Sequence, residues 1–186
     1  MLPVSLDLRR LPLLLVGNGP KTLGRLAQFR EAGAPDPAVF APEPAAELAE
    51  AAGPLLRRRL PTAVEIAAAR ILFVVDLPPQ QAAPLAAAAR AAGTLVNVED
   101  DLPHCDFHMP ATVRRGDLTI AIGTNGKSPG LAAKLRRWLE ARFTLEWADR
   151  LDELAEARRL WRAEGADMKT VLKRTDDLID RKGWLE

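Results

Sequence analysis

The sequence has little of what most directly announces chemistry. It contains one cysteine, Cys105, and two histidines, and its 26 lysines and arginines nearly balance 25 aspartates and glutamates, for a formal net charge of +1. A lone cysteine cannot close an internal disulfide, so nothing points to an oxidising compartment. The near-neutral balance argues against generic nucleic-acid binding, which needs a basic excess to neutralise phosphates. Long apolar runs are also missing. The stretch 11–16 is far too short to span a bilayer, and the first ten residues, with Asp7, Arg9 and Arg10 among them, lack the pattern of a signal peptide. A soluble, cytoplasmic protein without membrane or nucleic-acid partners is expected. There is no sustained repeat, and no low-complexity tract beyond richness in alanine.

What is present is ample material for a core, with 48% hydrophobic and 27% charged residues. Short apolar runs at 11–16, 38–41, 71–75 and 94–98 read as buried strands, and 55–60 as an edge strand. Between them, 20–32, 43–52, 62–69 and 79–92 read as helices, two of them stopped by Gly33 and Gly93. Strands alternating with helices predict βαβ units and a parallel sheet covered on both faces, an α/β fold of Rossmann type. After Glu99 the pattern changes. A polar loop covers 100–109, and two strands, 111–115 and 118–123, flank Arg115-Gly116-Asp117. Ser128 can cap a helix that begins with Pro129 and runs to about residue 143. The remainder has helical spacing with a break at Gly165. The expected organisation is a Rossmann-like domain over 1–110, a β-containing segment over 111–143 and a helical segment over 144–186.

Four clusters could carry chemistry. Gly17-Asn18-Gly19-Pro20-Lys21 directly follows the first strand and opens a helix. Glycines let the backbone approach a pyrophosphate, and a helix N-terminus offers it N–H groups. The bland alternative is a tight turn in an α/β sheet. Glu43 lies just past the second strand, near where a ribose ligand would sit. Asp100 and Asp101 follow the strand 94–98, at the end of the sheet where ligands bind; there a carboxylate can act as a base, bind a metal or simply solvate a loop. His104, Cys105, Asp106 and His108 are all potential metal ligands, but they match no closed zinc site, and a packing role is the alternative. Gly123-Thr124-Asn125-Gly126-Lys127-Ser128 is a glycine-containing loop before a helix. It could bind an anion, but it lacks phosphate-loop spacing, because Ala121 stands where that motif needs its first glycine. Arg114 and Arg115 lie nearby and could face a polyanion.

Taken together, these motifs fall in a recognisable order. The opening 2–8, the Val16-Gly17-Asn18-Gly19 turn, Glu31-Ala32-Gly33-Ala34, Asn97-Val98-Glu99-Asp100-Asp101 with Cys105-Asp106-Phe107, Met109-Pro110-Ala111, Leu118-Thr119-Ile120-Ala121-Ile122 and Gly126-Lys127-Ser128-Pro129-Gly130 resemble the precorrin-2 dehydrogenase and ferrochelatase module of siroheme synthases. The resemblance runs to about residue 143 and is fainter beyond. It implies NAD-dependent oxidation of precorrin-2 to sirohydrochlorin, and possible iron insertion as a second activity. It also implies a homodimer whose active site lies between the NAD domain and the partner subunit. By the same resemblance, Asp100 matches the catalytic aspartate, and Gly17, Asn18, Gly19, Pro20 and Lys21 with Pro42 and Glu43 match NAD-contacting turns. Thr124 falls at a position lining the tetrapyrrole site, and Asn125, Lys127, Arg114 and Arg115 would meet the acidic side chains of the tetrapyrrole. Thr22 stands where a dinucleotide turn usually has its third glycine. The family prefers a third glycine, a small apolar pair and a basic dipeptide after the first turn, and here Asn18, Pro20-Lys21-Thr22 and Gly24-Arg25 stand instead; Val74-Val75-Asp76-Leu77 stands where the fourth strand ends in Ala-Thr-Asp-Asp, and His108 replaces an apolar residue. A sirohydrochlorin metal chelatase and a non-catalytic tetrapyrrole carrier without NAD are the rival readings.

Overall fold

The computed structural model describes residues 2–34 and 37–185, and the chain divides into two compact units between His108 and Met109. In the first unit the strands β1 (Leu13–Val16), β2 (Ala38–Phe40), β3 (Leu56–Arg57), β4 (Ile71–Val74) and β5 (Leu95–Val98) alternate with the helices α1 (Pro20–Glu31), α2 (Ala46–Ala52), α3 (Ala63–Ala68) and α4 (Pro79–Ala92). The strands form one parallel sheet in the order β3-β2-β1-β4-β5. β1 and β4 are buried at every position, as expected of central parallel strands covered on both faces. Alternation along the strands divides the core. Leu14, Val16, Leu72, Val74, Val96 and Val98 face α3 and α4, where Ile66, Leu85, Ala86 and Ala89 meet them. Leu13, Leu15, Val39, Ile71 and Phe73 face α1 and α2, where Leu26, Phe29 and Leu48 meet them. The chain therefore reverses direction across the sheet between β1 and β4, and a crevice opens beyond their carboxyl ends.

Two elements are shorter than their sequence pattern suggests, for local reasons. The edge strand expected over 55–60 pairs only at Leu56 and Arg57. The chain then turns, with Arg59 N donating to Arg57 O at 2.8 Å, and the Arg59 guanidinium leaves to bind Glu65. The helix expected from 43 begins at Ala46. The backbone N–H groups of Glu43 and Ala45 are held instead by Asn18, at 3.0 and 2.8 Å, and Pro44 disfavours a helical residue before it.

The second unit consists of the antiparallel hairpin β6 (Ala111–Arg115) and β7 (Leu118–Ile122), then α5 (Pro129–Arg142), α6 (Trp147–Ala163) and α7 (Met168–Lys182). Gly116, with φ 57°, makes the hairpin turn. Ser128 caps α5 by accepting from Leu131 N at 3.2 Å, and Pro129 opens that helix. Asp167 caps α7 after the break at Gly165. Burial here is sparse. Trp147 is the buried side chain of α6, and Val171 and Leu178 are those of α7. Leu131, Leu135, Trp138, Leu160, Met168 and Leu172 remain exposed. Among the described residues no helix is long and apolar enough to cross a membrane.

Candidate active site

The site grows out of the turns that follow β1, β4 and β5, which the sheet order sets side by side. The β1 turn is built on Gly17. A Cβ there would sit 2.0 Å from Val75 O and 2.2 Å from Thr22 Oγ1, so only glycine lets β1, β4 and α1 approach this closely. Gly19 then leads into α1, with Pro20 in its first turn. Asn18 accepts from Glu43 N and ties this turn to the one after β2, which places Pro42 and Glu43 beside it.

Beyond these strand ends lies a cleft of about 350 Å³ whose lining includes Lys21, Asp76, Val98, Glu99, Asp100 and Asp101. Four carboxylates converge there, and each has a different partner. Glu99 is bound by Arg25 at 2.7 Å, and that guanidinium lies over the Phe73 ring. Asp101 meets His104 Nδ1 at 2.8 Å. Asp76 Oδ2 accepts from Thr22 N at 2.8 Å and lies 3.1 Å from Thr22 Oγ1. Asp100 is held by Lys21 Nζ at 2.5 Å, and its side chain, part of the cleft lining, remains 77% exposed. The Asp100 carboxylate, by hydrogen bond and by charge, holds the Lys21 ammonium above its ordinary range. Asp76 and Asp100 both adopt left-handed backbone, with φ of 50° and 60°. Non-glycine residues sustain that conformation only where surrounding structure imposes it, commonly at functional sites.

The fold thus brings together Gly17, Asn18, Gly19, Pro20, Lys21, Pro42, Glu43 and Asp100 at one end of the first unit's sheet. The His104–His108 cluster builds the adjoining loop. Cys105 Sγ lies 3.1 Å from Val98 O and accepts from Val98 N at 3.3 Å, and burial pushes the thiol pKa up. Asp106 accepts from Val96 N and from Arg90. Among the described residues, no three histidine, cysteine, aspartate or glutamate side chains are placed to hold a metal ion.

The other candidates lie in the second unit. Thr124 Oγ1 accepts from Ser128 N at 3.3 Å, and Asn125, with φ 52°, and Lys127 are exposed on the same loop. Arg114 is exposed on β6. Arg115 is engaged with the carbonyls of Phe143, Arg114 and Glu140, so its guanidinium ties the hairpin to the C-terminal end of α5, where a helix favours a cation. Asp76 and Glu99 are participants that sequence reasoning did not single out as site residues; Asp76 is the one bonded to the β1 turn. Its signal was present in the sequence as the aspartate that matches the Ala-Thr-Asp-Asp pattern at the end of β4.

Comparison with known proteins agrees with this architecture. A family model described as "Putative NAD(P)-binding" matches residues 4–111, and one described as "Sirohaem biosynthesis protein central" matches residues 115–142. The siroheme synthase of Methylococcus capsulatus is 36% identical over 141 residues, covering 75% of this chain and 30% of that protein. Siroheme synthase 1 of Pectobacterium atrosepticum is 33% identical over 184 residues, covering 86% of this chain and 37% of that protein. The chain thus spans about a third of the length of the curated relatives it matches. Among solved structures, SirC, a precorrin-2 dehydrogenase, superposes with a TM-score of 0.74 at 25% identity, covering 100% of this chain and 93% of that one. The chain therefore belongs to the NAD(P)-binding family matched over residues 4–111, and joins that domain to a sirohaem biosynthesis central segment.

Proposed function

We propose that this chain is a precorrin-2 dehydrogenase, which oxidises precorrin-2 to sirohydrochlorin with NAD as hydride acceptor. The observation that carries the reading is Asp100. It is an exposed carboxylate in left-handed backbone, at the carboxyl end of β5 beside the β1–β4 crevice, with one flexible partner. The likeness to SirC along the whole chain supports it.

The turns fit a dinucleotide in topology and backbone course. Gly17 and Gly19 leave no side chain over the β1 turn, and Asn18 joins it to Pro42 and Glu43. Gly17, Asn18, Gly19, Pro20 and Lys21 would hold the phosphates, and Pro42 and Glu43 the adenosine end. Glu43 is an acid just past β2, a position that favours a ribose diol over a ribose phosphate, and hence NAD over NADP. Bound there, the cofactor would supply hydride acceptance.

The chain's own residues do the rest. Asp100 takes the proton that precorrin-2 loses along with the hydride, and Lys21 holds that carboxylate in place until it does. Arg114 and Lys127, with Thr124 and Asn125, bind the acidic side chains of the tetrapyrrole, and Arg115 supports the hairpin that presents Arg114. The exposed apolar residues of α5 to α7 are covered by a second copy in a homodimer.

The test is anaerobic turnover of precorrin-2, followed by absorbance, in Asp100→Asn and Asp101→Asn. Asparagine keeps the size and one acceptor oxygen but cannot take a proton near neutrality. Asp100→Asn lowers the rate by about 10²–10⁴-fold, the usual contribution of a positioned acid or base, with dinucleotide affinity nearly unchanged. Asp101→Asn, which loosens only the His104 contact, stays within severalfold of wild type. Full activity in Asp100→Asn refutes the assignment. Loss of metal insertion alone, with oxidation intact, moves the residue to chelatase chemistry.

A further inference from the structure

Thr22, which stands where a dinucleotide-binding turn has its third glycine, is fully buried, and both its N–H and its hydroxyl reach Oδ2 of Asp76, just past β4. A glycine at position 22 would have no hydroxyl to offer, and an uncharged residue at position 76 would bring no charge to the helix. Together they form one local unit. Its geometry bears on the anion-binding capacity of the β1 turn.

A helix N-terminus binds anions because its first N–H groups have no partner within the helix. In α1 those donors are depleted. Pro20, in the first turn, has no N–H, and the N–H of Thr22 already donates to Asp76. The Asp76 carboxylate also covers Gly19, since a Cβ added to Gly19 would lie 2.9 Å from Oδ2 and 3.0 Å from Cγ. The glycine that would let a pyrophosphate approach the backbone is therefore faced by a negative charge. The nearby cation is Lys21, which is paired with Asp100. Asp76 reaches this position with φ 50°, a conformation its carboxylate bonds help to hold.

We propose that Asp76 is an affinity-determining residue. Its carboxylate occupies the anion seat at the start of α1 and opposes the pyrophosphate of a dinucleotide at the same turn. The proposal rests on the reading above that this turn takes a nicotinamide dinucleotide. Wild-type protein then binds dinucleotides weakly, and the weakness resides in their phosphates.

The experiment is calorimetric titration of the full chain, as wild type, Asp76→Asn and Asp76→Ala, with NAD, ADP and adenosine. Asparagine keeps an acceptor for Thr22 N and removes the charge; alanine removes both. Affinity for NAD and ADP rises severalfold in Asp76→Asn and at least about tenfold in Asp76→Ala, as expected when a like charge at a few ångströms is removed. Affinity for adenosine, which has no phosphate, stays unchanged. Thermal unfolding run in parallel shows whether Asp76→Ala has kept its fold; if it has not, Asp76→Asn alone decides. Equal NAD and ADP affinities in wild type and variants overturn the role of Asp76 and leave the cofactor reading standing. Binding of NAD and ADP by no form of the protein overturns the cofactor reading and this proposal with it.

Discussion

Two glycines seven residues apart should respond to the same substitution with opposite signs. In Gly17→Ala the new methyl would lie 2.0 Å from Val75 O, 2.2 Å from Thr22 Oγ1 and 2.9 Å from Val75 C. Two of those three atoms are backbone, and the backbone is pinned on both sides. Gly17 N donates to Phe40 O at 2.9 Å, and Val75 N donates to Val16 O at 2.8 Å. Overfilling a packed core costs about 1–3 kcal/mol when side chains can yield. Here a ladder bond must also give way, at about 1 kcal/mol, so roughly 3 kcal/mol is expected. Gly24 lies within α1, and an added Cβ there meets nothing within 4 Å. Gly24→Ala should gain about 0.5–1 kcal/mol from helix propensity. At about 3 °C per kcal/mol for a chain of this size, Gly17→Ala lowers the unfolding midpoint by roughly 9 °C, and Gly24→Ala raises it by roughly 2 °C. Thermal unfolding followed by far-ultraviolet circular dichroism measures both. If Gly17→Ala proved as stable as wild type yet lost dinucleotide binding, the glycine would serve ligand approach and the packing argument would be wrong.

Acid and assembly provide two further tests. Glu65 is held by Arg59 and by the Thr62 backbone N–H, which bring its carboxyl from 4.5 down to about 2. A depressed folded-state value stabilises above the ordinary carboxyl range and fades as the group protonates. The stability advantage of wild type over Glu65→Gln, read from urea midpoints, should therefore shrink as pH falls from about 4.5 to about 2; a gap constant with pH refutes it. Light scattering at micromolar concentration should give about twice the 20.3 kDa chain mass, and a monomer mass would refute the homodimer.

Much of the first unit was legible along the chain because its signals are local. Four-residue apolar strands, Pro20 and Pro129 at helix starts, Gly93 in left-handed backbone at a helix end and the break at Gly165 are all choices made within a few residues. They determine the βαβ alternation, and with it the end of the sheet to which Asp100 belongs. The exceptions also have local causes, such as Asn18 holding the N–H groups that would otherwise begin α2 early. Through-space pairings were not legible. Lys21 meets Asp100 across 79 positions and Thr22 meets Asp76 across 54, and only the sheet order β3-β2-β1-β4-β5 brings those turns together. The same holds for His104 and Cys105, which look like ligands in sequence, whereas His104 Nδ1 meets Asp101 and Cys105 Sγ meets Val98. Periodicity reports which face of an element is buried, and a cap reports where it begins. Which carboxylate meets which cation depends on how strands are ordered across the sheet, and tertiary structure decides that.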